Sequence, residues 1–417
     1  MEDAIEDIFA KYKIIIGDGM LTILGTPCIL LPLNSHILLH KILRKKYGLA
    51  ASSYLYFAGK FQGKLLLNAF VKNYRSKKTL QTLKSALAIS EVCGLGRLRL
   101  VSLYEKEGRA VIENPSCPYC KQYVKLFGKS RRTVHEWMQG FCAGLMEEYF
   151  GKPMAANSKT TISEGNAACI IETSSSVEDS PYVLPEESQH YDAVLKSATR
   201  IYRREGSAQT IATKRVLAHQ QMSYSNGRLA IWNIPGMAVP CASIAVMSKL
   251  FNELGTEMGN ALYHIGRMQA VGAVNIQVNH FGVKADSKLL QDMVAQAEFM
   301  GAGKMDVEKF EPATSNVIVT GKNCVYSLVY ENMYGKQEYP CDNLIRGLIT
   351  GACQGVLGKK VVGFETKSPA TGQSKTEIIV NRSHYFSTAL VKAQLPVKVA
   401  SDAFFSKHMT IKAFMAP

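Results

Sequence analysis

The apolar and polar positions of the chain fall into two periods that alternate along its length. Short runs of β type open it, "KIIIG" and "MLTILG", separated by Gly-containing turns. Helical stretches follow: "NSHILLHKILRKKYG", "ASSYLYFAGKFQGKLLLNAFVKNY" and "TLQTLKSALAISEVCG", the last stopping at Gly94. Strand-like segments "RLRLVSLYE" and "RAVIEN" come next. Then comes the helix "TVHEWMQGFCAGLMEEYFG" and two closing strands, "PMAANSK" and "NAACIIET". In the second half "RLAIWNI", "KMDVEKFEP" and "NVIVTG" repeat the strand pattern. Strands gathered around helices in this order predict an α+β fold, an antiparallel sheet with helices collected on one side.

The pattern recurs because the sequence does. "YFAGKFQG" at Tyr56 returns as "YHIGRMQA" at Tyr263, 207 residues on. "EVCGLGR" at Glu91 returns at the same offset as "EFMGAGK", and "GFCAGLMEEYFGK" as "GLITGACQGVLGK". Cys117 answers to Cys324 and Gly165 to Gly372. Nearer the start the offset is 208, with Pro27 and Pro32 matching Pro235 and Pro240, so the first copy carries one extra residue. An internal repeat of this period means two copies of one domain. Residues 1–173 form the first copy and 208–417 the second. Residues 174–207 supply a Ser-, Pro- and acid-rich linker and an extra helix with Tyr191, Val194, Leu195, Ala198 and Ile201 on one face. Two copies in one chain are expected to pack as an intramolecular pseudo-dimer, with further homo-oligomerisation left open.

Composition agrees with two globular domains: 417 residues, 47% apolar and 20% charged. The longest apolar run, "LTILGTPCILLPL", is short and broken by Gly25, Pro27 and Pro32, so no transmembrane span is expected. The acidic N-terminus does not resemble a signal peptide, and a cytoplasmic location is expected. Ten scattered cysteines fit a reduced state rather than a disulfide framework. A formal charge of +15 raises nucleic acid or an acidic surface as partners. The basic residues nevertheless sit in short clusters, such as "KNYRSKK" and "RIYRREG", with no nucleic-acid motif beside them.

In both copies a Gly-x-Gly turn precedes two strands, a helix with paired glycines follows, "GK" precedes a strand, and a glycine turn leads into the last one. This arrangement resembles the 4-vinyl reductase domain, a hydrocarbon- or small-molecule-binding module. It also resembles the sensor part of aromatic-responsive bacterial regulators, and more distantly the TRAPP tethering subunits. The resemblance implies binding of a small hydrophobic or aromatic molecule by a sensor, carrier or accessory protein, without catalysis. Members of that family often carry zinc. Carried over, its ligand positions fall on His135, Ser158, Thr161 and Cys169, and in copy two on Asp342, Glu365, Ser368 and Thr376. Serine and threonine are poor zinc ligands, so the resemblance implies a dismantled site.

Cys117 and Cys120, in "NPSCPYC", suit three readings: a redox dithiol at a helix N-terminus, a zinc site shared with His135 or Cys169, or plain packing. Copy two keeps Cys324 but has Ser327 at the Cys120 position. The dithiol makes a thiol- or metal-dependent oxidoreductase the enzymatic alternative, and a protein-interaction scaffold stands as a third. His36 and His40 have the i, i+4 spacing of a metal pair but lack the glutamate of HExxH, and read as one helix edge. "GLGR" and "GAGK" lead into strands rather than helices, and read as tight turns instead of phosphate loops. The shared Tyr-x-x-Gly-x-x-Gln places Tyr56 and Gln62, or Tyr263 and Gln269, roughly along one helix face. Such residues serve either a close helix contact or the polar end of an apolar pocket. Phe57 and His264, the next positions, would give two such pockets different chemistry.

Overall fold

The computed structural model describes residues 11, 13–17, 19–175, 182, 222–225, 228–231, 234–253, 257–382 and 394. The extra helix expected over 190–206 lies outside them, as does most of the linker.

Each copy opens with three strands: β1 (Ile14–Gly17), β2 (Met20–Ile23) and β3 (Thr26–Pro32) in the first, β8 (Met222–Ser225), β9 (Arg228–Ile231) and β10 (Ile234–Pro240) in the second. They join into one six-stranded antiparallel sheet of order β1-β2-β3-β10-β9-β8, with β3 and β10 paired at its centre. That position accounts for the apolar run "TPCILLP". β3 is buried from Thr26 to Leu31, as a strand covered on both faces must be.

Three helices follow in copy one: α1 (Leu33–Tyr47), α2 (Leu49–Tyr74) and α3 (Leu80–Val92). A four-stranded sheet of order β4-β5-β7-β6 comes after them, built from β4 (Arg99–Tyr104), β5 (Arg109–Asn114), β6 (Ala155–Thr160) and β7 (Cys169–Ser174). Between β5 and β6 lie α4 (Pro118–Phe127) and α5 (Glu136–Phe150). Copy two repeats this with α6 (Cys241–Glu253), α7 (Glu257–Asn279), α8 (Ser287–Phe299), β11 (Lys304–Glu311) and β12 (Asn316–Lys322). It closes with α9 (Val325–Tyr334), α10 (Asn343–Leu357), β13 (Val362–Lys367) and β14 (Thr376–Asn381), the sheet running β11-β12-β14-β13. The architecture is α+β with antiparallel sheets throughout. β5 shows the reason: Ala110, Ile112 and Asn114 are buried while Arg109, Val111 and Glu113 are only half-buried, the period of a sheet with one covered face. The outer strands β4, β6, β11 and β13 each carry a register shift. Such bulges blunt an open sheet edge against pairing with another chain.

Helix α4 opens at Pro118, where proline is well placed because its missing N–H is an orphan at a helix start. The long helix α2 crosses α5 at backbone contact. A Cβ at Gly140 would overlap the carbonyl of Tyr56, and one at Gly59 the carbonyl of Trp137. Gly347 and Gly266 repeat the arrangement with Tyr263 and Leu344 in copy two. The glycine of Tyr-x-x-Gly-x-x-Gln is therefore required by the helix crossing. Among the described residues no helix is long and apolar enough to cross a membrane.

Candidate metal centre

Three segments converge in copy one. Cys117 is the residue before α4 and Cys120 lies in its first turn, so the Cys-x-x-Cys spacing brings both thiols to one side. His135 precedes α5, and Cys169 opens β7. The ligand atoms of Cys117, Cys120, His135 and Cys169 all lie within 4.8 Å of one another, and all four residues are buried. Cys120 Sγ and Cys169 Sγ are 3.6 Å apart. A tetrahedron with zinc–sulfur bonds of about 2.3 Å has edges of about 3.8 Å, close to the Cys120–Cys169 separation, so the cluster is of the size that a zinc ion needs.

The surrounding groups hold the ligands in place. The Ile162 N–H approaches Cys169 Sγ at 3.3 Å. Ser158 Oγ lies 3.3 Å from His135 Nε2 and accepts a hydrogen bond from Gln139 Nε2 at 3.0 Å. His135 Nδ1 is buried and has no hydrogen-bond partner. With the Nε2 proton directed at Ser158, the tautomer leaves the Nδ1 lone pair for a metal, the usual second-sphere device for a ligating histidine. Burial, then the Arg44 charge, lowers the His135 pKa to about 4, which keeps the ring neutral as ligation requires. Without a metal the thiols are held protonated. The hydrogen bond with Cys120, the contrary pull of Cys169 and burial together leave Cys117 well above its ordinary range.

The donor set fits zinc as a closed Cys3His site, with four protein ligands and no open position, which is the structural kind. The ion would cross-link α4, the 128–135 loop and β7. These elements share a small apolar cluster of Leu33, Ile37, Tyr119, Tyr123 and Val134 that is separate from the main core. Both Cys117 and Cys120 are fully buried, so no partner disulfide reaches them as a redox dithiol would need.

Two of the carried-over positions, His135 and Cys169, are ligand candidates, while the two thiols come from α4 instead of from Ser158 and Thr161 on and after β6. Ser158 supports the histidine, and Thr161 bonds Ser163 at 2.8 Å and Glu164 at 2.9 Å. In the sequence the clue was the Cys-x-x-Cys itself, for which a zinc site shared with His135 or Cys169 was one of three readings; the structure brings all four residues together.

The Tyr-x-x-Gly-x-x-Gln residues lie along the two helix crossings. Tyr56 OH accepts from the Ala156 N–H at 2.9 Å, and its ring stacks on Tyr182 at 4.5 Å. Gln62 Oε1 accepts from Trp137 Nε1 at 2.7 Å, and Gln62 lines a cavity of about 20 Å³ with Leu65, Cys93 and Phe141. Gln269 Oε1 accepts from Ser35 Oγ at 3.1 Å, joining the two copies. Tyr263 carries the Arg346 guanidinium over its ring at 4.6 Å. Phe57 is buried in the main core and His264 packs edge-on against Tyr263.

A second group, beside the metal centre, was not singled out as a site in the sequence. His36 and His40, on one edge of α1, are fully buried, with ring centroids 4.0 Å apart. His40 Nδ1 is 3.1 Å from Tyr119 OH, which also accepts from Arg44 Nη2 at 3.2 Å. Arg44 pairs with Glu136 at 2.9 Å. Both ring nitrogens of His36 lack any hydrogen-bond partner. His36, Tyr119, His135, Trp137, Met138 and Met237 line a void of about 10 Å³, closed by the Gly94–Leu95 turn. Burial, then Arg44, lowers the His36 pKa to about 3, so the ring is neutral.

Comparison with known proteins adds little at the level of sequence: no family model matches the chain, and no curated protein does. Among solved structures, the phenol-responsive sensory domain of the transcription activator PoxR, crystallised with phenol, is similar over 45% of this chain and 99% of its own. Its identity is 13% and its TM-score 0.40.

Proposed function

We propose that the chain is a tandem binding protein of the 4-vinyl reductase type. Its first copy, stapled by zinc, takes a small, largely apolar molecule carrying one hydrogen-bonding group. The observation that carries this reading is His36: a neutral imidazole with two unpartnered nitrogens in a fully buried box of Tyr119, Trp137, Met138 and Met237. An unpaired buried polar group costs about 1–3 kcal/mol, which a ligand hydroxyl or carbonyl would recover. Apolar walls with a few placed polar groups are the usual make-up of a small-molecule site. The void has room for about one water, so a ring would enter only as Met138 and Met237 swing aside, which unbranched thioethers do readily.

Among the described residues copy two offers no such box. The 208 offset puts Ile244 at the His36 position, and Ser248 Oγ, at the His40 position, is hydrogen-bonded to Tyr326 OH at 2.9 Å. One specialised copy and one plain partner is therefore the arrangement proposed.

The test is titration of the purified full chain with phenol and with toluene, followed by Trp137 fluorescence and native mass spectrometry. Phenol should bind at least tenfold more tightly than toluene, and His36→Ile should remove the difference. Binding of neither compound, together with no co-purifying apolar molecule, would overturn the reading.

A further inference from the structure

Copy two has lost its soft ligands, yet the place they would occupy is still polar. The positions of Cys117, Cys120, His135 and Cys169 are taken by Cys324, Ser327, Asp342 and Thr376, all buried. Ser158, which supports the histidine in copy one, is replaced by Glu365, buried as well. Two carboxyl groups thus meet where copy one has an imidazole and a hydroxyl.

Their hydrogen bonds are half complete. Asp342 Oδ2 accepts from Ser327 Oγ at 3.2 Å, and Glu365 Oε2 from the Asp342 N–H at 3.3 Å. The other oxygens, Asp342 Oδ1 and Glu365 Oε1, are buried and have no partner. Among the described residues the cation that acts on Glu365 is Arg346, on α10. Its guanidinium bonds the carbonyls of Gly363 and Gln394 and the side chain of Asn343, and lies over the Tyr263 ring. Neither carboxyl takes a hydrogen bond from it among these contacts. The other titratable groups facing the pair are Cys241, Cys324, Cys341 and Tyr326, each kept neutral by burial. Two full charges in such surroundings would be strongly unfavourable, and a single proton on the pair removes one of them.

We propose that Asp342 and Glu365 share one proton at neutral pH, and that this proton joins α10 to β13 where copy one uses a metal. Asp342 at the α10 N-terminus, facing the helix dipole and the Ser327 hydroxyl, keeps the charge; Glu365 carries the proton. Burial pushes both groups above the ordinary carboxyl range, and for Glu365 the Asp342 charge adds to it. Folding then takes up a proton that the unfolded chain lacks at neutral pH. Stability contributed by the pair is full in acid and falls as pH rises until the proton is lost. Copy two is in this way sensitive to rising pH where copy one is sensitive to chelators.

Infrared spectroscopy of the full chain tests this. A band of a buried protonated carboxyl should be present at pH 7, disappear on alkaline titration, and be absent from Glu365→Gln. In parallel, the folding constant of the wild type should fall up to about tenfold per pH unit relative to that of Glu365→Gln above the ordinary carboxyl range. No such band in the wild type would overturn the proposal without recourse to any variant. So would equal pH slopes in the two proteins, or a second metal ion per chain that depends on Glu365.

Discussion

Leu30 and Ala238 face each other across the β3–β10 pair, and each occupies the same position in its own copy. Pro32 stands opposite Gly236 and Cys28 opposite Pro240, so the register repeats itself about a local two-fold axis through that pair. The symmetry extends to the turns. The Leu30 N–H donates to Met300 O, and the Ala238 N–H to Cys93 O, both at 3.0 Å. Each Gly-x-Gly turn therefore completes the central strand of the other copy.

The turns admit no side chain at their first glycine. A Cβ at Gly94 would overlap the Gly236 carbonyl, one at Gly301 the Cys28 carbonyl, and both residues have φ near +80°. Gly94→Ala and Gly301→Ala should each cost about 1–3 kcal/mol, read from the midpoint of urea unfolding at unchanged m-value.

Metal content is the direct check on the candidate centre. Purified protein should carry about one zinc per chain by elemental analysis. Cys120→Ser and Cys169→Ser should lose it, whereas Cys324→Ser should not. Chelation of the wild type should lower its melting temperature and leave the thiols titratable.

Ser158 acts on the metal only through His135. Ser158→Ala should weaken zinc affinity about tenfold while leaving the stoichiometry intact. Competition with a chromophoric chelator measures this, and an unchanged affinity would remove Ser158 from the site.

His36 should make the protein sensitive to acid. Its folded pKa of about 3 lies below the ordinary histidine value, so the stability it contributes is present above about pH 6.5 and falls with decreasing pH towards 3. His36→Ile, the residue type of copy two, should raise stability by about 1–3 kcal/mol at pH 7 and flatten the acid limb of the stability profile. Thermal unfolding between pH 5 and pH 8 decides it.

Gly140→Ala would press a methyl group into the Tyr56 carbonyl. A backbone obstacle cannot rotate away, so the loss should lie at the upper end of the overpacking range, about 3 kcal/mol. The same substitution at Gly144, facing the Lys60 carbonyl, should behave alike.

The amino-acid order alone determined the duplication, the α+β class and most elements, because those rest on local periodicity and on spacing that survives translation along the chain. It also placed Gly140 and Gly347 at matched positions, although their reason, carbonyls on a crossing helix, is not local. The run "TPCILLP" was legible as apolar but not as the middle of a shared sheet, since strand partners from two copies leave no mark on either segment. The chemistry depended on tertiary structure almost throughout. Cys117 and Cys120 had three open readings until the loop and β7 brought His135 and Cys169 within ligand distance. The i, i+4 spacing put His36 and His40 on one helix edge, but the burial of that edge comes from Trp137, Tyr119 and a strand of the other copy. Asp342 and Glu365 became a pair only when α10 was laid against β13. Periodicity is a property of neighbours in sequence; a site is a meeting of residues far apart, and only packing decides which of them meet.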